Sequence, residues 1–408
     1  MTVEWFKPRG YVHFDAPVGN AFAQKVLDRV FVTKHSWLPL IYYIKRTKRY
    51  KASKGKTVFK DRPIMYASHR DACILSKYAW ELTTALDAHY EALGLEQHVI
   101  AYRKLGRANY DFSADAFNFA RAKPVSVVLC YNITGFFDNL DHRILKERLK
   151  RVLRVGELAQ DWFAVFRHVT QYKAIERDEL AAHSRFGPRL SMKLREPLAT
   201  ISELLAERIQ IKRNPKRVGI PQGTPISSVF SNLYMIDIDQ AMVGLCKKRG
   251  ALYQRYSDDI LVVCNPEDEA SINSTMEALI KSHLLEIKPE KTETIVFDKL
   301  APHAFQYLGF DISPDGAVIR AGSLGRRWRK ARRSIARIKK IGLIAVAEGK
   351  ATKIYTKKLR RRFLPVGVRN FSSYARRAAK AFGNKKIVRQ VLRLERMIDT
   401  ALLDLDPH

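Results

Sequence analysis

The chain has 408 residues, of which 46% are hydrophobic, and a formal net charge of +32. The length is too great for one compact core and predicts two or three packed subdomains, whereas the apolar content is ordinary for a globular protein. The excess of 73 Lys and Arg over 41 Asp and Glu indicates that the protein binds a polyanionic partner. Nucleic acid is the first hypothesis for that partner, and a membrane surface is the alternative.

The sequence gives several indications of the compartment. Its start, MTVEWFKPRG, lacks the apolar core of a signal peptide, and no apolar run is long enough to span a bilayer. The cysteines Cys73, Cys130, Cys246 and Cys264 are scattered through apolar surroundings. This pattern predicts buried, reduced thiols rather than disulfides or a zinc site. We therefore expect a cytoplasmic protein with no membrane partner.

The first part of the chain, residues 1–60, is mixed in pattern and ends in a run of Lys and Arg. Ser68 is followed three residues later by Asp71, the spacing of a capping box, which predicts the start of a helix. Apolar residues at helical spacing continue this pattern until Gly94. We expect a basic N-terminal extension followed by a long helix.

The middle of the chain alternates between strand and helix patterns. The apolar run 125–130 predicts a buried strand, and 251–264 predicts two strands joined by a tight turn at Ser257-Asp258. A helical pattern runs with interruptions from 142 to about 211, and a Gly/Pro loop at 219–227 leads into another helix. Two further strand-turn segments follow.

The composition shifts at Gly325, after which Arg and Lys dominate segments with a helical pattern. A stripe of isoleucines predicts one buried face on the first of these helices, formed by Ile335, Ile338 and Ile341. We place a boundary near residue 320 and predict three regions, 1–60, 61–320 and 321–408.

Two adjacent acids stand out in the predicted hairpin. Asp258 and Asp259 would bring two like charges together at its turn, which costs free energy. A solvated turn is the alternative interpretation, since Asp is a common turn residue. The apolar residues that follow, 260–263, instead indicate a central strand. Acids held at the end of a buried strand favour a divalent cation such as Mg²⁺.

Five segments together resemble the sequence boxes of reverse transcriptases. Tyr256-Ser257-Asp258-Asp259 resembles the Tyr-x-Asp-Asp box, and GIPQGTPIS at 219–227 resembles the Pro-Gln-Gly box. The segment YNITGFFDNLDH (131–142) resembles the first catalytic box, and Glu290-Lys291-Thr292 resembles the box after the hairpin. The segment Tyr307-Leu308-Gly309-Phe310 resembles the primer grip. The boxes keep the family's order over roughly 99–320.

This resemblance implies an α+β right-hand polymerase. The fingers and palm, with an antiparallel sheet, would occupy 61–320, and a basic α-helical thumb would occupy 321–408. Within the family, SHRDA, VIAYRK and NFSSYARRAAKAF resemble bacterial unknown-group and abortive-infection enzymes, many of which act in phage defence. The implied function is RNA-directed DNA synthesis in anti-phage defence. A structured noncoding RNA would be template or scaffold, and DNA would be the product.

The resemblance also implies the residues that act. Asp258 and Asp259, with the backbone carbonyl of Ile133, would hold two Mg²⁺ ions, for which Mn²⁺ is the alternative. Lys291 would donate a proton to the leaving pyrophosphate.

For the incoming dNTP, Arg103 and, less directly, Lys104 would contact the triphosphate. Gln222 and Gly223 would line the nucleotide pocket, with the glycine allowing a close approach. Phe137 would exclude a ribose 2′-hydroxyl.

The basic tail would contact the phosphates of a template–product duplex. The candidate contacts lie on one predicted helix and are Arg326, Arg327, Arg329, Lys330 and Arg333. Trp328, in the same run, is predicted to pack in the thumb core rather than to stack on a base.

One residue departs from the family pattern. Asn132 stands where the family has a bridging Asp, and the next acid, Asp138, is six positions further on and cannot replace it. The loss of a carboxylate predicts impaired catalysis. Three hypotheses remain open: an introduced inactivating substitution, a natural weak or silent subunit, and a polymerase that tolerates Asn. The rival function is a non-catalytic RNA-binding scaffold, as a homo-oligomer or beside a second reverse transcriptase subunit.

Overall fold

The computed structural model describes residues 3–51, 55–192, 195–300, 303–366 and 369–405, with the backbone alone at 49–51 and 291. Within these ranges, no helix is both long enough and apolar enough to cross a membrane.

The strands of the described residues form three sheets and a two-stranded ribbon. In chain order they are β1 (Leu40–Ile44), β2 (Thr47–Lys51), β3 (Lys56–Lys60), β4 (Pro63–Tyr66), β5 (Val125–Asn132), β6 (Lys173–Glu176), β7 (Lys212–Arg213), β8 (Leu252–Tyr256), β9 (Asp259–Cys264), β10 (Glu293–Asp298), β11 (Phe305–Tyr307), β12 (Phe310–Ser313) and β13 (Gly316–Ile319).

Helices surround these sheets and form most of the C-terminal region. In chain order they are α1 (Asn20–Lys25), α2 (Arg29–Thr33), α3 (His69–Ala92), α4 (Asn109–Arg121), α5 (His142–Leu153), α6 (Gln160–Thr170), α7 (Arg177–Ala182), α8 (Phe186–Met192), α9 (Ile201–Ala206), α10 (Ser227–Tyr234), α11 (Ile236–Lys248), α12 (Glu269–Ser282), α13 (Ala321–Ala347), α14 (Lys357–Phe363), α15 (Phe371–Ala381) and α16 (Lys385–Leu403).

The central sheet has the strand order β10-β5-β9-β8 and is antiparallel throughout. Its inner strands are continuous apolar runs because both faces are covered, and successive side chains point to opposite faces. On β9, Val262 and Cys264 join the main core, whereas Leu261 and Val263 join a second core on the other face. Two buried faces therefore fix the register of the strands that carry the polar residues at the sheet's end.

A second sheet, β4-β1-β6-β7, lies in the N-terminal half. Its strands β1 and β6 are parallel, and the other pairs are antiparallel. Ile41 of β1 and Ile175 of β6 are fully buried in a core shared with helices α7, α8 and α9. The ribbon β2–β3 extends from the segment between β1 and β4.

The third sheet, β11-β12-β13, connects the central sheet to the C-terminal helices. Phe310 of β12 packs in the same core as Ala378 of α15 and Val391 of α16. Helices α13, α14 and α16 have a further core of their own, which includes Ile335 and Ile398. The basic helical region is thus anchored to the sheet by shared apolar packing.

The predicted α+β class is confirmed, as are its principal strands. The run 125–130 lies within β5, and the predicted hairpin is β8 and β9 with its turn at Ser257-Asp258. All four cysteines are free, as predicted. Trp328 packs against the core of the C-terminal helices, also as predicted.

Other expectations were wrong in detail. Ser68 caps α3, but the Asp71 carboxylate turns away from the cap and accepts from His35 and from the Leu38 N–H. Ile341 is 54% exposed and does not continue the buried stripe. The segment 142–211 contains β6 besides helices, because a four-residue strand next to charged residues gives no clear period. The three-region division of the chain stays a prediction.

Candidate active site at the end of the central sheet

Three polar side chains meet where β5 and β9 end. Asn132, the last residue of β5, lies directly opposite Asp259, the first residue of β9. The Asn132 Nδ2 donates to Asp259 Oδ1 at 2.8 Å and to Asp258 Oδ2 at 3.2 Å. The backbone N–H of Ile133 donates to the Asp258 carbonyl at 3.2 Å. The resemblance predicted this cluster, and the strand register brings it together.

The turn that carries the two acids is conformationally unusual. Ser257 has a φ of +61°, a region that L-residues other than Asn, Asp and Gly rarely adopt. The Tyr102 hydroxyl donates to Ser257 Oγ at 3.1 Å and so ties the loop after α3 to the turn. Sequence reasoning did not identify Tyr102, and no local pattern marks it. The turn geometry therefore depends on contacts from outside the hairpin.

A buried ion pair supports the turn from below. Arg255 of β8 is fully buried and makes a bidentate contact with Asp239 of α11, with both nitrogen–oxygen distances 2.7 Å. Its Nη1 also donates to the Ser257 carbonyl and to Asn232 Oδ1, each at 3.1 Å. Burial alone would lower the pKa of Arg255, but the charge of Asp239, the hydrogen bonds to it and the neighbouring Tyr90 and Tyr253 together outweigh burial and hold that pKa above its usual value.

The partners of this ion pair are themselves held in place. The Tyr253 hydroxyl donates to Asp239 Oδ1 at 2.7 Å, and Asn232 Nδ2 donates to the Ala101 carbonyl at 2.8 Å. The Tyr90 hydroxyl donates to the Asn232 carbonyl at 3.2 Å. A fully hydrogen-bonded network of this kind fixes one arrangement of the groups around it. We refer to Arg255, Asp239, Asn232 and Tyr253 as the support network.

The Gly/Pro loop lies beside the first catalytic box. The N–H of Ile220 donates to the Phe137 carbonyl at 2.8 Å, and the N–H of Met65 in β4 donates to the Gln222 carbonyl at 2.8 Å. Gly223 has a φ of +124°, and a Cβ there would lie 2.6 Å from the Met65 carbonyl oxygen. The close approach predicted for this glycine is therefore to the backbone of β4.

Phe137 lies in a short 3₁₀ turn, Phe136–Asp138, after β5. It is half-buried against the main core and meets the Phe136 ring edge-on at 5.6 Å. Phe137 is thus part of the core packing, and the sugar contact that the resemblance implies stays a prediction. Asp138, the last residue of this turn, has a pKa raised by burial.

The side chain of Arg103, the predicted triphosphate contact, is engaged within the protein, and its role toward a nucleotide stays a prediction. The side chain is only 5% exposed, and its Nε lies 2.6 Å from Asp87 of α3. Its Nη1 donates to the carbonyls of Glu96 and Val99, and the guanidinium lies over the Tyr90 ring. These contacts tie Arg103 to the end of α3 and to the segment that follows it. Lys104 is 90% exposed, 3.7 Å from Glu4.

Lys291 ends a 3₁₀ turn, Pro289–Lys291, just before β10. Its side chain lies outside the described part of the chain, so its predicted role as a proton donor stays a prediction.

A basic groove of about 1090 Å³ lies between the third sheet and the C-terminal helices. Three of the five predicted phosphate contacts line this thumb groove, namely Arg326, Arg327 and Lys330. Arg329 and Arg333 are on the same helix but outside the lining. Sequence reasoning missed four further lining cations, two of which lie in the basic helix α14, and the four are Arg361, Arg362, Arg369 and Arg377.

The donor set at the end of the central sheet suits a hard divalent cation only in part. Carboxylate and carbonyl oxygens are the ligands such cations prefer, and Asp258 and Asp259 supply two carboxylates. The third member of the cluster is an amide. Accordingly, within the described residues no group of three or more His, Cys, Asp or Glu is placed to hold a metal ion.

Solved structures of telomerase share part of this architecture. Apo telomerase from Candida tropicalis, truncated from its C-terminal domain, has 13% identity and a TM-score of 0.45, covering 67% of this chain and 53% of that one. A second apo structure from that organism gives 12% identity and a TM-score of 0.47, covering 90% and 59%. Telomerase from Candida albicans, with a TWJ fragment of telomeric RNA, gives 11% and 0.44, covering 94% and 64%.

The chain thus spans less than two thirds of the length of each of these proteins, and at these TM-scores the likeness does not identify the family of the chain. The match to a family model does identify it. Residues 95–312, more than half of the 408, match the family described as reverse transcriptase (RNA-dependent DNA polymerase). This range contains all five boxes and the support network. The chain therefore belongs to the reverse transcriptase family.

Proposed function

We propose that this protein carries out, or descends directly from an enzyme that carried out, RNA-directed DNA synthesis by nucleotidyl transfer. The observation that supports the proposal most directly is the placement of Asp258 and Asp259 opposite Asn132 within a reverse transcriptase domain. Phosphoryl transfer requires little covalent chemistry from the protein and depends on positioning and on charge stabilisation. The support network provides positioning, since it holds the turn on which both acids lie.

Asp258, Asp259 and the carbonyl of Ile133 are the groups that would hold the two Mg²⁺ ions of this proposal. When bound, such ions activate the primer 3′-hydroxyl and neutralise the charge that develops on the phosphates. Asn132 would offer one neutral oxygen in place of a carboxylate. We expect this to weaken ion binding and catalysis without removing the site.

The nucleotide would lie between the Gly/Pro loop and the 3₁₀ turn of the first box. Gln222 and Gly223 would border this space, and the bond from the Ile220 N–H to the Phe137 carbonyl would keep its two walls together. Phe137 would then select dNTPs by excluding a 2′-hydroxyl. Lys291 would serve as the proton donor to pyrophosphate.

The thumb groove would hold the phosphates of the template–product duplex. Leu308 and Gly309 of the primer-grip segment line it, so a duplex lying there would contact that segment. An RNA-containing duplex is recognised mainly by shape and backbone, which agrees with a lining dominated by Arg and Lys. The resemblance to bacterial defence-associated reverse transcriptases suggests a noncoding RNA as template and action in anti-phage defence, and the scattered cysteines suggest a cytoplasmic location.

One observation favours the second candidate, a non-catalytic RNA-binding scaffold. The amide nitrogen of Asn132 donates to both carboxylates, so one oxygen of each acid has a hydrogen-bond donor from within the protein. An Asp at this position would repel its neighbours and require a cation. A subunit that had lost polymerase activity would retain the support network and the thumb groove, and it would act as a homo-oligomer or beside an active reverse transcriptase.

Primer extension distinguishes the two candidates. The chain and its Asn132→Asp variant are compared with Mg²⁺ or Mn²⁺, dNTPs and a primed RNA template, and Asn132→Asp/Asp258→Asn is the matched inactive control. Polymerisation that appears or rises in Asn132→Asp and is lost in the control supports the proposal. If Asn132→Asp fails on every primed template, the polymerase function is wrong, and RNA that co-purifies at low salt would then favour the scaffold.

A further inference from the structure

A second basic groove lies far along the chain from the thumb groove, between α2, α6 and the strand pair β6–β7. Its volume is about 1060 Å³, and Lys173, Arg213, Lys216, Arg217 and Arg167 contribute five cations to its lining. None of its described lining residues is acidic. We call it the β6–β7 groove.

The strand pair itself places two of these cations against each other. Lys173 and Arg213 are direct partners in the antiparallel register of β6 and β7, so their side chains share a face. Like charges in this position are destabilising. The next residue, Lys212, points to the opposite face and pairs there with Glu176 at 2.6 Å. The fold thus neutralises one face of the ribbon and leaves the groove face without a carboxylate partner among the described residues.

Aromatic rings border the same groove. Phe163 of α6 is 46% exposed, and Trp37 stacks on His168 at 4.1 Å with nearly parallel planes. The His168 Nε2 is buried and has no hydrogen-bond partner among the described residues. Burial lowers the pKa of His168 to about 4, so the ring adds no charge at neutral pH. Cations with an exposed aromatic ring are the combination that binds single-stranded nucleic acid, through phosphates and base stacking.

The groove is also joined to the active site by the backbone. The bridge between Asp141 and Val218, and the bond from the Gly219 N–H to the Leu140 carbonyl, connect its Lys216-Arg217 edge to the first catalytic box. We propose that the β6–β7 groove binds the phosphodiester backbone of a single-stranded nucleic acid segment that continues from the strand held at the active site. The choice of nucleic acid as the ligand rests on the proposed function, whereas the charge and shape of the groove are observed independently of it.

Binding can be tested with the full chain and without nucleotides or Mg²⁺, so that the result is independent of polymerisation. A photoreactive p-benzoylphenylalanine replaces Phe163, and the crosslinking yield to a labelled 20-nucleotide single strand, as RNA and as DNA, is measured. The same residue in place of Leu205, which is 60% exposed on α9, is the positional control. We expect crosslinks at 163 and few at 205, and the RNA and DNA arms show which strand is preferred.

The charge pair provides the decisive variant. Lys173→Gln/Arg213→Gln should lower the crosslink yield at 163 at least fivefold and reduce the slope of log affinity against log salt by about 1.4, or about 0.7 for each lost phosphate contact with a single strand. Lys212→Gln, on the opposite face, should leave both values unchanged. Because the two substituted groups repel each other, the double variant should be at least as stable as the parent, which a thermal melt checks.

Three results would overturn the inference. They are equal yields at 163 and 205, an unchanged yield in the double variant, and displacement of the single strand by polyglutamate as effective as by unlabelled strand, which would assign the groove to an acidic protein. Loss of the crosslink with intact primer extension would reject the groove alone. An intact crosslink with no extension would reject the polymerase function alone.

Discussion

The charges beneath the active site and those in the thumb groove are used in opposite ways. Arg255 is fully buried, and its guanidinium donates to Asp239, Asn232 and Ser257 within the protein. The lining cations of the thumb groove instead face a concave surface with no acidic residue in its described lining. A paired, buried charge fixes a conformation, whereas exposed cations of one sign create a potential that attracts a polyanion. This difference in burial and pairing distinguishes charged residues that fix the shape of the site from charged residues that are placed to bind a ligand.

The largest effect should come from breaking the buried pair. Arg255→Met leaves the Asp239 carboxylate buried without its partner and should lower the free energy of unfolding by about 3–5 kcal/mol. Urea unfolding followed by circular dichroism measures this. Arg255→Met/Asp239→Leu removes both charges and should recover part of the loss. A single variant as stable as the parent would show that the pair is not a structural element.

A buried histidine in the N-terminal half should make the stability of the protein depend on pH. His13 accepts from the Phe14 N–H through Nδ1 and lies 3.2 Å from the Tyr66 carbonyl through Nε2, which requires the neutral ring. Burial lowers its pKa to about 4. Because the pKa of His13 is lower in the folded state than in the unfolded state, its contribution to the free energy of unfolding is fully present above pH 6.5, the unfolded-state pKa. That contribution is lost as the pH falls from about 6.5 toward 4.

We therefore expect the stability to be about 2–3 kcal/mol lower at pH 4.5 than at pH 7 from this residue alone. His13→Gln, which removes the titrating ring, should be less stable at pH 7 but flatter across this interval. Parallel urea titrations at both pH values compare the two proteins. The same drop in the variant would exclude His13 as the source.

The acidic cluster of Asp258 and Asp259 is intermediate in burial between Arg255 and the cations of the thumb groove, because its charges are only partly buried. Asn132→Asp places a third carboxylate beside Asp258 and Asp259 and removes the amide donor, so we expect a lower melting temperature in EDTA. Added Mg²⁺ should then raise that temperature more in the variant than in the parent. A gain of about 10–100-fold in primer extension should accompany it. Equal Mg²⁺ responses in the two proteins would argue against a metal site here.

The smallest effect should come from the thumb cations. Arg326→Gln/Lys330→Gln removes two groove-lining charges, and Arg329→Gln/Arg333→Gln removes two from the same helix outside the lining. The first pair should weaken binding of an RNA–DNA duplex several-fold and reduce the salt slope by about 1–2. The second pair should have less effect, and neither should change stability by more than about 0.5 kcal/mol. Equal losses of affinity would indicate a diffuse field rather than a groove.

Local sequence was sufficient for features that a short segment specifies. The apolar run of β5, the hairpin with its turn at Ser257-Asp258 and the Ser68 cap all depend on neighbours within a few residues, and each is present. The short strand β6 could not be predicted in this way. Its place depends on β1, more than a hundred residues earlier, with which it pairs in parallel.

The candidate site shows the same division. Local sequence was enough to show that two acids stand at the end of a buried strand, that Asn132 replaces the expected carboxylate and that the C-terminal region is strongly basic. Three other features depend on contacts between segments distant in the chain: Arg103 contacts Asp87 of α3, Gly223 packs against β4 and Arg255 holds the turn. A charged side chain takes its role from the partner that folding brings within about 3 Å, and the residues next to it in the sequence do not specify that partner.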